Sequence, residues 1–303
     1  MRRIGVLMAH PEGDPEFQTY VAAFREGLQK LGWIEGHNIK IDIRWGALED
    51  SELRQRSAKE LVALQPDVIL TQNTHRPPLQ CCNKRAPSPS FLSSLLTRLG
   101  AASSRTSRGR AATPAALLSW SRRLPANVEL LKEIAPHVER AAIIFNPKTS
   151  PYRDVYLSPF NLAAASNGME ALAVPVGDET ELETVIAAQA RGMNGGLVVM
   201  PDGFLNVHRA EIVSLTARYR LPAAYPWRFF AELGGLLSYG SEQSDEFRLA
   251  ASYVDRILKG EKPAELAVQA PTDYKLVINL KTAKLLGLDV PPFLQQRADK
   301  LIE

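Results

Sequence analysis

Short apolar runs alternate with amphipathic stretches along most of the chain. Residues 3–9 ("RIGVLMA") are almost continuously apolar, the mark of a strand buried on both faces. Phe17, Val21, Phe24, Leu28 and Leu31 then recur at helical spacing over 15–33, and the stripe closes near Gly32. Alternation over 38–45 ("NIKIDIRW") predicts a second strand, a helix follows over about 51–64, and "DVILTQNT" (67–74) predicts a third strand. Strand and helix in this order predict a doubly wound parallel sheet.

The same rhythm returns in the second half. It predicts a helix at 127–136, then strands at 141–147, 170–176 and 195–202, with helices at 151–167, 179–191 and 206–219 between and after them. A strand at 222–226, a short helix at 227–232, a strand at 234–240 and a long helix over 242–259 come next. Beyond the punctuation "KGEKPAE" (259–265) lie a strand at 274–279 and a helix opening at Leu280. Two βα series in one chain predict two lobes.

Residues 75–127 break the pattern. They hold eight Arg, one Lys and nine Ser, and no Asp or Glu stands between Asp67 and Glu129. The formal charge of the 303-residue chain is +3, yet outside this window 27 Lys and Arg face 33 Asp and Glu, a net of −6. The basic character is thus local and says little about partners. Arg-rich tracts can neutralise phosphate, but this one carries only Phe91 and Trp120 as aromatics, too few for a base-stacking platform, so no nucleic-acid partner is expected. The two cysteines, Cys81 and Cys82, are adjacent and lie in the window; that spacing is neither a disulfide framework nor a zinc or redox motif. No apolar run approaches the ~18 residues of a membrane-spanning helix.

Catalytic signatures are missing: no GxxxxGK[ST], no GxGxxG after the first strand, no GxSxG and no HExxH. His10, His37, His75, His137 and His208 are each isolated, and none pairs with another at metal-ligand spacing. His10 stands at a strand end, where it reads as a base or simply as a loop residue, and Asp202 could serve as an acid or base only if the fold brought a histidine to it. No catalytic residue, metal or cofactor is expected. Ligands of doubly wound sheets sit beyond the carboxyl ends of the strands. Those ends read "MAHPEG", "TQNTHR", "FNPKTSP", "MPDGF" and "SYGSE", and they supply Asn73, Thr74, Asn146, Ser150, Asp202, and Ser238 with Tyr239. Asn-Pro and Asp-Gly are also good turn formers, but their recurrence at the same end of successive strands suggests a polar cleft for a small zwitterion or acid.

The segments "FREGLQKLGWIEGHNIKIDIRW", "VELLKEIAPHVERAAIIFNP", "LPAAYPWRFFAELGGLLSYG" and "ILKGEKPAELAVQAPTDYKLVINLKTAKLLGL" carry a family likeness. Over 1–74 and 128–303 the chain resembles ABC-transporter substrate-binding proteins of the tryptophan/tyrosine type, members of the type I periplasmic binding protein superfamily. The resemblance implies α/β architecture: two Rossmann-like lobes of doubly wound parallel sheet, joined by a three-crossover hinge near Asn127, Ser238 to Gly240, and Val268 to Asp273. The N-terminal lobe is expected over 1–127 and 240–268, with 75–127 aberrant and disordered, and the C-terminal lobe over 128–239 and 269–303.

The resemblance also implies a solute-binding component of an ABC importer: a monomer that performs no chemistry, captures an amino acid or an aromatic or carboxylate compound, and delivers it to a membrane permease. Asn73, Thr74, Asn146, Ser150, Asp202 and Tyr239 are the expected ligand-binding residues. Thr74 with nearby backbone N–H groups would hold a carboxylate, Asp202 would pair with an ammonium, and Phe204, Tyr225, Trp227 or Tyr239 would stack on an aromatic portion. A cytosolic α/β enzyme and a ligand-sensing regulator of the same fold are the alternatives. Family members carry a secretion signal, so a periplasmic location and a reading frame extending upstream of Met1 are expected. The family's strand and "DPVG" loop after "DVIL" are absent here. One allowed back-translation of "PSPSFLSSLLTRLG", read from the third base of each codon, gives "IPIVSVVVADPVG". Residues 75–127 are therefore expected to be translated out of frame, with impaired folding or binding as the consequence.

Overall fold

The apolar run at the N-terminus forms β1 (Arg2–Met8), the central strand of a four-stranded sheet in the computed structural model, which describes residues 1–46, 51–72, 80–83, 115–192, 194–262, 266 and 271–303. β2 (Ile39–Trp45) and β3 (Val68–Thr71) pair with β1 in parallel, in register at Ile4↔Ile41 and Ile4↔Val68. β4 (Gln80–Asn83) joins β3 antiparallel, so the sheet order is β2-β1-β3-β4. Helix α1 (Pro15–Lys30) starts on an Asp14 cap whose carboxylate accepts the Glu16 N–H, with Pro15 in the first turn where its missing N–H costs nothing. Its predicted stripe is buried at Phe17, Val21, Phe24 and Leu28; Leu31 is 40% exposed because the helix has already ended. α2 (Ser51–Ala63) places Ala58 and Leu61 against Leu7 in a separate cluster.

The second sheet has seven strands. β5 (Arg140–Phe145), β6 (Glu170–Pro175), β7 (Gly195–Val199), β8 (Ala223–Tyr225) and β9 (Leu237–Ser241) are mutually parallel, and β10 (Tyr274–Asn279) turns antiparallel on β9 and carries β11 (Lys300–Ile302). The order is β11-β10-β9-β8-β7-β5-β6. β5 and β7 are apolar over nearly their whole length and buried, as strands covered on both faces must be. The helices are α3 (Ala115–Ile134), α4 (Asp154–Ser166), α5 (Glu179–Arg191), α6 (Gly203–Val207), α7 (Arg209–Arg218), α8 (Arg228–Glu232), α9 (Gln243–Leu258), α10 (Leu280–Leu286) and α11 (Pro292–Arg297). A Cβ on Gly196 of β7 would stand 2.8 Å from Val138 Cγ1 and 3.1 Å from Leu131 Cδ2, so that glycine lets the sheet meet the end of α3.

The chain falls into two compact units, Met1–Leu117 with Gln243–Ala270 and Leu118–Glu242 with Pro271–Glu303. In the first, α1 and α9 lie against each other and cover Ile4, Val6, Ile41, Val68 and Leu70, and Trp33 Nε1 donates to Asp255 Oδ1 at 2.9 Å. Close approach is possible because Gly27 faces Ala251.

Several expectations need adjustment. The helix expected from 127 begins at Ala115, with the helix formers of "AALL" in its first turn, and runs through Pro125 to "VELLKEI"; the window expected to be disordered thus holds the start of α3 as well as β4. The rest of that window, 75–79 and 84–114, lies outside the described residues. The single helix read over 206–219 is broken at His208 into α6 and α7. β10 is antiparallel to β9, and α11 and β11 follow where only the opening of a helix was read.

Candidate ligand-binding site

Each sheet has a topological switch point. In the first unit β1 is flanked by β2 and β3, and the chain reverses direction of winding between β1 and β3. His10 follows β1, is 1% exposed and stacks on Phe17 with ring centroids 3.5 Å apart. Beside it the Gln72 side chain, following β3, accepts the Ala9 N–H at 3.3 Å. Asn73 and Thr74 lie just beyond Gln72, outside the described residues.

In the second unit the switch falls between β5 and β7, and there the polar strand ends converge. Asp202, the cap of α6, is 1% exposed. One carboxylate oxygen accepts the Phe204 N–H at 2.7 Å and the Thr149 hydroxyl at 2.6 Å. The other accepts the Asn146 N–H at 2.9 Å and the Ser150 hydroxyl in a very short contact. Asn146 extends the knot: its Oδ1 accepts the Lys148 and Thr149 N–H groups at 2.8 and 3.3 Å, and its Nδ2 donates to the Gly177 carbonyl at 3.1 Å. The loops after β5, β6 and β7 are thereby fastened at one point. Burial pushes the Asp202 carboxyl above its ordinary pKa, opposed by the hydrogen bonds from Ser150, Thr149, Asn146 and Phe204. An ionised carboxylate offers about four lone-pair sites, and four protein donors occupy them. Among the described residues, then, Asp202 ties the strand-end loops together through four hydrogen bonds.

Other buried polar atoms of the second unit are not saturated among the described residues. Asn127 donates through Nδ2 to the Tyr239 carbonyl at 3.2 Å, while its Oδ1 has no protein partner among the described residues. The same holds for Asn206 Oδ1 on α6 and Ser238 Oγ on β9. All three residues are at most 6% exposed. Buried polar atoms without partners are rare and need an explanation, such as water or a ligand. Tyr239 is half-buried, its ring 5.8 Å from that of Tyr274. Tyr225 turns inward, its hydroxyl 2.7 Å from that of Thr216, and does not offer its ring as a free wall. Sequence reading selected Asn146, Ser150, Asp202 and Tyr239 but passed over Thr149, Asn206 and the side chain of Asn127. Thr149 stood inside the quoted "FNPKTSP"; Asn206 sits within a helical pattern that gave no signal.

The family model for ABC transporter substrate binding proteins matches residues 4–302. The chain belongs to that family. Among solved structures, this substrate-binding protein is similar to the ABC domain in complex with L-Trp from Streptococcus pneumoniae, at 20% identity, with 99% of each chain covered and a TM-score of 0.80. It is similar also to a conserved domain protein from Vibrio cholerae O1 biovar El Tor, at 19% identity, 99% of each chain and a TM-score of 0.79. A ribose operon repressor protein from Lactobacillus acidophilus matches at 10% identity, over 89% of this chain and 95% of its own, with a TM-score of 0.59. A search of curated proteins gives no match. These likenesses show the fold, that of the type I periplasmic binding proteins. The fold is shared by transport proteins and regulators, and the family match assigns this substrate-binding protein to the former. Such proteins work with a small-molecule ligand and an ABC permease. No helix among the described residues is long and apolar enough to cross a membrane.

Proposed function

We propose that the protein is the solute-capturing component of an ABC import system and takes an amino acid or an aromatic or carboxylate compound. The observation that carries this reading is the Asp202 knot at the switch point of the seven-stranded sheet, which fixes three strand-end loops while Asn127, Asn206 and Ser238 have polar atoms with no partner among the described residues. Asn127, Asn206, Ser238 and Tyr239 then contact the solute, Asn146, Ser150 and Asp202 shape the loops, and Asn73 and Thr74 are ligand contacts expected from the sequence. The L-Trp bound to the pneumococcal relative supports an amino-acid ligand. The protein acts as a periplasmic monomer, performs no chemistry on the solute, binds no nucleic acid and hands its cargo to a permease. A thermal-shift screen of amino acids, aromatic acids and sugars, followed by calorimetry, tests the assignment. A saturable rise in Tm with an amino acid or carboxylate is expected, weakened by Asn206→Ala; response only to neutral sugars would sink it.

The composition break over 75–127 and the antiparallel β4 in a sheet that is otherwise parallel support a second reading, that this window is translated out of frame. Resequencing the gene from upstream of Met1 through the Val128 codon decides it. A continuous frame encoding "IPIV" and "DPVG" there would identify the window as an error of sequence. An unchanged reading with tight solute binding would show that the window is a native part of the protein.

A further inference from the structure

His208 stands at the break between α6 and α7, and its ring lies against Phe204 with centroids 4.4 Å apart. Phe204 is itself held through its N–H by Asp202 at 2.7 Å, so the imidazole is set by packing on a fastened element. Glu211 follows one turn later on α7, and its carboxylate oxygen is 3.5 Å from His208 Nδ1. Glu179 comes from elsewhere, the first residue of α5, just after the Asp178 cap that accepts the Thr180 hydroxyl at 2.6 Å. One imidazole nitrogen and one oxygen from each glutamate all lie within 4.8 Å of one another.

Two carboxylates drawn that close repel each other unless positive charge lies between them. The 3.5 Å spacing of His208 Nδ1 and Glu211 Oε2 is longer than a good N–H···O bond of about 2.7–3.2 Å. That one spacing matches the edge of a tetrahedron of ligands at about 2.0–2.2 Å from a central ion, roughly 3.3–3.6 Å, and the separations to the Glu179 oxygen are at most 4.8 Å. One nitrogen and two carboxylate oxygens suit a borderline divalent ion such as Zn2+, whereas Ca2+ and Mg2+ want all-oxygen shells with more ligands. Glu179 is exposed, which leaves solvent to complete the coordination. We propose that Glu179, His208 and Glu211 form a surface Zn2+ site in the second unit, clamping the start of α5 to the α6–α7 junction. The sequence concealed it because only one partner is near His208 in the chain, and both partners are carboxylates. The site is separate from the solute-capturing reading, and its test involves no solute.

The test uses the full chain with Cys81→Ser and Cys82→Ser, since adjacent thiols would compete for zinc. Calorimetric titration with ZnCl2 is expected to show a saturable site, and Co2+ a visible absorption band at the same stoichiometry. Glu179→Gln, His208→Gln and Glu211→Gln should each weaken Zn2+ binding about ten-fold or more. Glu179 is on the surface, so its variant reports on binding even if a His208 variant folds badly; circular dichroism checks all three. Absence of saturable Zn2+ binding, or binding unchanged in the Glu179 and Glu211 variants, would reduce the cluster to an ordinary surface ion pair and overturn the proposal.

Discussion

Asp202, expected from the sequence to meet a ligand, holds three strand-end residues and the start of α6 through four hydrogen bonds. Its four donors come from both sides of the β5–β7 switch point. Removing the carboxylate strands two buried N–H groups, those of Asn146 and Phe204, each costing about 1–3 kcal/mol. Asp202→Ala is therefore expected to destabilise the protein by roughly 2–5 kcal/mol, read from chemical denaturation. Asp202→Asn should cost nearly as much, because its amide nitrogen is a donor facing donors. A variant with unchanged stability and only weakened solute affinity would restore the ligand-contact role. Residue type and position at a strand end were legible in "FNPKTSP" and "MPDGF". Partners 52 to 56 residues apart were not, because which side chains meet depends on the order of strands in the sheet.

Element boundaries were legible where periodicity is strong. α1 was readable because its apolar spacing and its closing Gly32 agree. What the helix packs against was not: α9 arrives from more than 200 residues further on and meets it at Gly27, where a Cβ would come 2.7 Å from Ala251 Cβ and 3.2 Å from the Arg248 carbonyl. Two effects oppose each other in Gly27→Ala. Alanine gains up to about 1 kcal/mol of helix propensity, while overpacking a close contact costs about 1–3 kcal/mol. The clash involves backbone as well as a methyl group, so net destabilisation is expected, and Ala251→Gly in the same chain should recover part of it. A Tm raised by Gly27→Ala alone would show that the two helices can move apart freely. The break at His208 was hidden because both of its flanks are helical in pattern, and the tertiary position of Phe204 fixes the ring.

At the scale of the molecule, the chain passes between its two units at 117/118, 242/243 and 270/271, against expected boundaries at 127/128, 239/240 and 268/269. The second unit buries Tyr156 and Tyr225, 3% and 1% exposed, and burial raises both hydroxyl pKa values far above the ordinary value near 10. A raised folded pKa contributes stability that is whole below the unfolded value and is lost as pH climbs toward the folded one. Above pH ~10 the unfolded chain sheds two protons that the native state keeps, so stability should fall by up to about 2.7 kcal/mol per pH unit from this pair. Unfolding at pH 9 and pH 11, with tyrosinate absorbance followed alongside, checks it. Tyr225→Phe should lower the slope by up to about 1.4 kcal/mol per pH unit, and ionisation of both tyrosines in the native state would contradict the burial argument.

The sequence by itself determined the βα rhythm, the two series of strands, the polar character of the strand ends, the composition break at 75–127 and the family likeness. These are properties of local spacing and residue type, which a linear reading preserves. Only the tertiary structure decided that β10 and β11 run against the other strands, that Asp202 spends its lone pairs on the fold, and that Glu179 meets His208 and Glu211. Each of those depends on which segments lie side by side once the sheet is wound, and hydrogen bonds and charges act over a few ångströms of space whatever their separation along the chain.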